Sequence, residues 1–402
     1  MRERFIDGAR AFGARLGRLI AAAAALSLVA AAKPPAQSNS GAIDTKAEIA
    51  LLVDAATGAV LFAKNADKPF VPGNLTKMMT VAVAAQEVKD GRLSMDGEFT
   101  VSEHAWRTGG APSHTPTMFA PVNQPAKVAD LFRGVMIQSA NDGSIALAEG
   151  IAGGESGFAE LMNKRAADWG MTATRFANPS GLPNPDNRTT AHDLLVLARH
   201  LVKDYPDVYR IYSEREFTYN KIRQLNRNPM IDPGLGGDGI AVGSTKEGGA
   251  VLAGSAVQNG QRLLVAIAGS ANDKERNEDA RKLVEWGFRS FETVRIYGAG
   301  ETIGAASVFG GAATTVPMVS PADVDILVPR GSRDKLKARI VYTGPLKAPV
   351  AKGQPIGRLW VTNDEKPVVD YPVEAGDDVG VGSLGRRAVD GTRELLIGLL
   401  RR

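Results

Sequence analysis

Two rhythms of apolar and polar positions run along this chain, and the place where one gives way to the other divides it. Ile49 to Asp54 is a β-rich apolar run, and Val60 to Ala63 repeats it after Thr57 and Gly58, which predicts an early hairpin. Helical periodicity then holds from Met78 to Val88. Between about residues 125 and 204 the texture is largely helical: Val128, Leu131, Val135 and Met136 form one face, and Ile145, Leu147 and Ile151 form another. Gly157–Trp169 and Thr190–Val202 continue it, with Thr190 and Asp193 spaced as an N-cap pair. Strand patterns return at Ile240–Gly243, Ala250–Val257 and Leu263–Ala268, the last two joined by a turn at Gln258, Asn259, Gly260 and Gln261. A long helix from about Asn272 to Arg289, with Leu283, Val284 and Trp286 apolar, closes the region. Strands flanking a helical insert predict an α+β sandwich.

From about Val294 the rhythm shortens. Val324–Val328, Arg339–Tyr342 and Ile356–Val361 alternate and are split by Gly and Pro, which predicts a small all-β domain. Gly353 and Gly357 fit tight turns in it and form no phosphate loop, because no helix follows. The last residues form a distinct element. At about 100° per residue, Ala388, Val389, Leu395, Leu396, Leu399 and Leu400 share one face. Arg386, Arg387, Asp390, Glu394, Arg401 and Arg402 lie opposite, with Arg393 at the edge, as in a basic amphipathic helix lying in a membrane interface.

The N-terminus adds a compartment. Arg2, Arg4, Arg10, Arg15 and Arg18 precede an apolar run from Leu19 to Ala32 that ends in small residues, the pattern of a cleavable secretory leader. Pro34, Pro35 and the polar residues after them then read as a loose mature N-terminus. The expected boundaries are a leader at 1–32, a loose segment at 33–46, the sandwich at 47–293, the β-rich domain at 294–383 and the amphipathic helix at 384–402. The net charge of +4 changes little: the leader holds five arginines against two acids, leaving about +1 for the rest. With no basic patch interleaved with aromatics, a nucleic-acid partner is excluded. Absence of cysteine excludes disulfides, thiolate zinc sites and cysteine nucleophiles. His104, His114, His192 and His200 lack close ligand spacing and read as surface or packing residues. No cofactor is expected.

Three short stretches carry the chemistry. Asn74, Leu75, Thr76 and Lys77 resemble the S-x-x-K helix start of penicillin-binding proteins, with asparagine where the serine stands. A residue three places before the lysine shares its helix face, but an amide nitrogen, being resonance-delocalised, is not an acyl acceptor. Ser139, Ala140 and Asn141 resemble the family's S-x-N turn. Asp238, Gly239, Ile240, Ala241, Val242 and Gly243 resemble D-G-x-K-T-G, with alanine for the lysine and valine for the threonine. Further stretches resemble the family at 52–58, 105–110, 178–182 and 226–229. The chain after its leader is thereby identified as a member of the D-alanyl-D-alanine carboxypeptidases, the low-molecular-mass penicillin-binding proteins.

The resemblance implies a transpeptidase/β-lactamase-like sandwich with a helical insert, a small all-β domain and a C-terminal helix. It assigns Lys77, Ser139 and Asn141 to remnant catalytic positions, and Asn74, Gly243, Ser244, Ala241 and Val242 to substrate binding. Backbone N–H groups at Asn74 and Ser244 would form the oxyanion hole, which side-chain changes spare. Lys77 is expected to pair with the Asn74 amide, Ser139 and Asn141. The function expected is a periplasmic pseudoenzyme, attached peripherally to the outer face of the cytoplasmic membrane by its C-terminal helix. It would bind D-Ala-D-Ala stem peptides or regulate or scaffold other wall enzymes. The rival expectations are a weak carboxypeptidase with a non-standard nucleophile and a structural partner whose cleft is unused. Two decoys are set aside. Ser332 to Lys335 also spells S-x-x-K, but in a charged turn without an apolar helical face. Lys246 stands five residues beyond the Ala241 position, so strand parity would turn it to the other face.

Overall fold

The computed structural model describes residues 3–8, 19–21, 43–363 and 366–400. Most of the expected leader lies outside these. What is described there is backbone: Glu3–Gly8 runs antiparallel to Leu336–Thr343, and Leu19–Ala21 pairs with it in turn. The chain divides into one unit of residues 34–290 and a second containing 291–402 and the N-terminal segment.

The first unit is built on a five-stranded antiparallel sheet. Its order is Val60–Lys64, Ile49–Asp54, Gln261–Ser270, Gly249–Gln258, Gly237–Thr245. Both faces are covered, so Ile49–Asp54 is buried throughout, and Leu263–Ala268 reads as a continuous apolar run. On one face, Leu51, Val53, Leu264 and Ala266 join the helical body in a single core. On the other, Leu52 and Leu263 meet Asp273–Ser290, where a Cβ on Gly287 would strike both. The helical body comprises Lys77–Lys89, Glu103–Gly109, Val128–Ile137, Asn141–Ala152, Glu155–Asp168 and Ala191–Asp204. Its caps are local. Ser102 Oγ accepts the Ala105 N–H at 2.9 Å, and Thr190 Oγ1 accepts that of Asp193 at 3.1 Å.

Gly237–Thr245 is the edge strand, longer than the Ile240–Gly243 run that its apolar residues predict. A hairpin of Glu216–Tyr219 and Ile222–Leu225, absent from the sequence-based reading, packs beside the helical body. Its turn residues Asn220 and Lys221 both have positive φ, 47° and 62°.

Among the described residues the second unit is all-β apart from one short 3-10 turn and its C-terminal helix. Leu336–Thr343, Pro355–Asn363 and Lys366–Ala375 pair consecutively, and Phe291–Tyr297 pairs with Val324–Pro329. Its core is built from Val294, Val308, Val316, Ile326, Ile340 and Leu359 among others. Gly353 lies in a turn with φ +78°, but Gly357 does not: it sits within Pro355–Asn363, where a Cβ would come within 2.8 Å of the Val341 carbonyl. The space between neighbouring strands excludes a side chain there. Residues 332–335 form the exposed 3-10 turn, as their charge predicts. Leu384–Leu400 is helical; of its side chains, only those up to Thr392 are described.

Candidate functional site

A cleft of about 1120 Å³ opens between the edge strand and the helical body. Asn74, Thr115, Pro116, Asn141, Gly181, Leu182, Arg227, Val242, Gly243, Ser244 and Arg276 are in its walls. The segment bearing Asn74 is a 3-10 turn, Gly73–Thr76, and the α-helix begins only at Lys77. In a 3-10 turn residues three apart eclipse one another, so Asn74 and Lys77 still share a face. Gly181 comes so close to this turn that a Cβ on it would lie 1.9 Å from the Gly73 carbonyl oxygen; with φ +73°, only glycine fits.

Lys77 is 3% exposed. Its Nζ donates to Asn74 Oδ1 at 2.8 Å and to the Ser180 carbonyl at 2.5 Å. Burial pushes the Lys77 ammonium down to about 7; Asp142 opposes the shift and Arg227 adds to it. Of the three partners expected for Lys77, only Asn74 is found. Asn141 instead donates from Nδ2 to Thr115 Oγ1 at 2.9 Å. The reason is the loop at 178–182, which delivers a backbone carbonyl to the amine.

The S-x-N turn is held in a left-handed conformation at Ser139, φ 59°. Ser139 and Asn141 are both buried, and Asn141 Oδ1 has no hydrogen-bond partner. Immediately after them, Asp142 is fully buried and accepts from Thr117 Oγ1 (2.6 Å), Met118 N (3.0 Å), Ala120 N (3.1 Å) and Gly143 N (3.0 Å). Burial raises its carboxyl, and these donors pull the other way. The carboxylate thus ties the loop at 115–120, which lines the cleft, to the S-x-N turn. The motif comparison passed over Asp142, although it is the next residue in the chain.

On the opposite wall the strand alternates. Val242 and Ser244 line the cleft, and a Cβ on Gly243 would lie 3.2 Å from Asn74 N and Cβ. Ala241 is not in the lining; its methyl packs against the main core, on the face opposite Val242. Lys246 does line the cleft. The parity argument fails for it because the strand ends at Thr245, and Lys246 sits in the following turn.

Two cations went unnoticed in the sequence. Arg227 lines the cleft and donates to Gln138 Oε1 at 3.0 Å. Arg276, 4% exposed, donates from Nη1 to the Gly243 carbonyl at 3.2 Å and to Asp273 Oδ1 at 2.8 Å, and from Nε and Nη2 to Asn277 Oδ1. Its position on a helix otherwise crowded with charge gave no signal of burial.

A family model described as D-alanyl-D-alanine carboxypeptidase matches residues 32–272, and one for the penicillin-binding protein 5 C-terminal domain matches residues 291–381. The chain is 36% identical to D-alanyl-D-alanine carboxypeptidase DacA of Haemophilus influenzae over 337 residues, 83% of this chain and 85% of that protein. It is 36% identical to DacC of Escherichia coli over 382 residues, covering 94% and 96%. Among solved structures, penicillin binding protein 5 from Haemophilus influenzae superposes with a TM-score of 0.81 at 36% identity, covering 85% of this chain and all of that one. Penicillin binding protein 6B from Escherichia coli gives 0.71 at 30% identity, covering 85% and 98%. With family models matched over both units and 36% identity along most of the chain, the chain belongs to the D-alanyl-D-alanine carboxypeptidase family.

Proposed function

We propose that the chain is a periplasmic, catalytically silent member of this family that binds peptidoglycan stem peptides in its cleft, and so regulates or scaffolds the wall enzymes that act on them. One observation carries the reading: the position of attack holds Asn74, whose oxygen is occupied by Lys77. Loss of a serine nucleophile costs about 10⁶ in rate. Loss of a charge-assisted carboxylate contact, as at Val242, costs about 1.5–3 kcal/mol more. Binding is supported by what remains. The cleft is open, its lining carries Arg227 and Lys246 besides the paired Arg276 and Asp273, and Asn141 Oδ1 is a buried acceptor without a donor. A buried unpaired acceptor costs about 1–3 kcal/mol, and a ligand N–H would remove that cost. The relatives are named for D-alanyl-D-alanine; extending that ligand to this chain is part of the proposal. Incubation with a labelled penicillin, followed by intact mass measurement, tests the silence, and a covalent adduct on the unmodified protein overturns it. Titration with a D-Ala-D-Ala peptide tests the binding.

The same proposal attaches the chain to the outer face of the cytoplasmic membrane through Leu384–Leu400. Leu384 and Val389 are 81% and 64% exposed, which leaves apolar side chains open on this helix. Its first turns are tied to the β unit: Arg386 Nη1 donates to the Ala312 carbonyl at 2.7 Å, and Asp390 Oδ2 accepts the Gly310 N–H at 2.9 Å. Among the described residues no helix is long and apolar enough to cross a membrane. Deleting Gly385 to Arg402 should release the protein into the soluble periplasmic fraction. An unchanged distribution sinks the tether.

A further inference from the structure

The cleft has more room than a dipeptide fills: its volume of about 1120 Å³ is above the range of about 300–1,000 Å³ that encloses drug-sized ligands. Its unsatisfied charges stand in two places. Next to the S-x-N turn is Arg227, whose Nε donates to Gln138, the residue before Ser139. Arg227 makes no ion pair among the described residues. The same lining holds Asn141, 2% exposed, with Oδ1 unpartnered.

The second place lies past the end of the edge strand, where Lys246 and Glu247 both line the cleft. Neither makes a hydrogen bond or ion pair among the described residues, and they do not pair with each other. Both side chains are exposed, but the turn that bears them is fixed. Thr245 Oγ1 accepts the Gly248 N–H at 2.8 Å, and the Gly248 carbonyl accepts the Gly269 N–H at 3.0 Å. Arg276 and Asp273, also in the lining, satisfy each other. A cation and an anion on successive residues, both in one wall and both unsatisfied, complement a ligand group that carries an anion and a cation on one carbon. That group is the head of an amino acid.

Spacing says which residue of a peptide brings it. An extended chain advances about 3.3 Å per residue, so Val242 to Thr245 is about 10 Å. A peptide lying along this strand with its terminal carboxylate at Arg227 has its third residue from the end about 7 Å further on. Only a long side chain on that residue crosses the rest of the way to the turn.

We infer that Lys246 and Glu247 form a subsite for the side chain of the stem peptide's third residue, and that it takes a diamino dicarboxylic acid such as diaminopimelate. The inference rests on the reading that this cleft binds stem peptides. The side-chain carboxylate meets Lys246, and the ammonium on the same carbon meets Glu247. A lysine in that place brings the ammonium alone and leaves Lys246 unpaired. A cross-linked stem, whose side-chain nitrogen is acylated, brings the carboxylate alone and leaves Glu247 unpaired. The subsite thereby reads both the identity of the third residue and whether its amine is still free.

The test is a calorimetric titration of the full chain with three N-acetylated peptides, L-Ala-γ-D-Glu-X-D-Ala-D-Ala. X is meso-diaminopimelate, the same residue acetylated on its side-chain amine, or L-lysine. The free diaminopimelate peptide should bind about two- to fivefold tighter than each of the others, the weight of one exposed ion pair. Added salt should shrink both advantages. Lys246→Met should abolish the advantage over the lysine peptide and keep that over the acetylated one; Glu247→Gln should do the reverse. A general loss of cleft charge does not produce that crossed pattern. Equal affinity for all three peptides on the unmodified chain overturns the inference and leaves the stem-peptide reading standing, as do advantages that survive both substitutions. No binding of any of the three by folded protein overturns both. The comparison on the unmodified chain needs no variant, so a misfolded variant leaves it decisive.

Discussion

On the helical wall of the cleft, polar side chains still meet one another; on the strand wall, the motif survives mainly as backbone. Lys77, Asn141 and Asp142 keep hydrogen-bond partners, and Asn74 supplies an oxygen to the lysine much as a hydroxyl would. At Val242 the replacement keeps β-propensity and shape but provides no donor, and at Ala241 the motif's long charged side chain is gone. The difference follows from burial. A buried lysine needs acceptors, and the Asn74 oxygen joins the Ser180 carbonyl in supplying them. Val242 faces an open cleft and carries no such debt, so a hydroxyl can be lost there without harm to the fold.

The largest expected effect comes from repairing both walls at once. Asn74→Ser, Ala241→Lys and Val242→Thr together should give measurable acylation by labelled penicillin, read by intact mass, against none for the unmodified chain. Asn74→Ser alone restores the hydroxyl beside Lys77 but no carboxylate clamp, and should label weakly or not at all. Silence from a folded triple variant would mean that the strand wall has lost more than side chains.

A smaller effect separates the walls by stability. Asp142→Ala strands the N–H groups of Met118 and Ala120 and the Thr117 hydroxyl in the interior, and should cost about 3 kcal/mol or more in denaturant unfolding. Val242→Ala on the opposite wall should cost roughly 1 kcal/mol or less, because its side chain borders an open cleft. Equal costs would remove the contrast.

The smallest effect is a slope. Lys77 is held near 7 in the folded chain and returns to about 10.5 when unfolded. Between these values the unfolded state binds the extra proton, so stability should rise as pH increases above 7, by at most about 1.4 kcal/mol per unit. Lys77→Met should flatten this rise between pH 7 and 9, as followed by urea midpoints. Buried Tyr209 and Tyr212, whose hydroxyls burial raises, act in the opposite sense only above about pH 10.

What the sequence could convey depended on distance along the chain. The pairing of Asn74 with Lys77 is a three-residue matter, and the spacing announced it. The second partner of Lys77, Ser180, lies 103 residues away, and only the fold brings its carbonyl there. The hairpin at 216–225 escaped notice because its turn is Asn220 and Lys221; a lysine in a positive-φ position conceals the signal that glycine gives. Lys246 was misplaced because strand parity was extended past the end of the strand, and Gly357 because a glycine can mark crowding as well as a turn. The sandwich and the β-rich unit were legible, since each depends on periodicity repeated over many residues.

An edge strand is ordinarily the first part of a sheet to fray. This one is fastened near both ends by arginines from elsewhere in the unit. Arg262 Nη1 reaches Asp238 at 2.7 Å and Ser255 at 2.6 Å, and Arg276 Nη1 reaches the Gly243 carbonyl. Opening the strand would therefore disturb its neighbours and the Asp273–Ser290 helix with it. In deuterium exchange those of its amides that bond to Gly249–Gln258 should exchange as slowly as the sheet's interior, so the wall that has lost its chemistry still resists fraying.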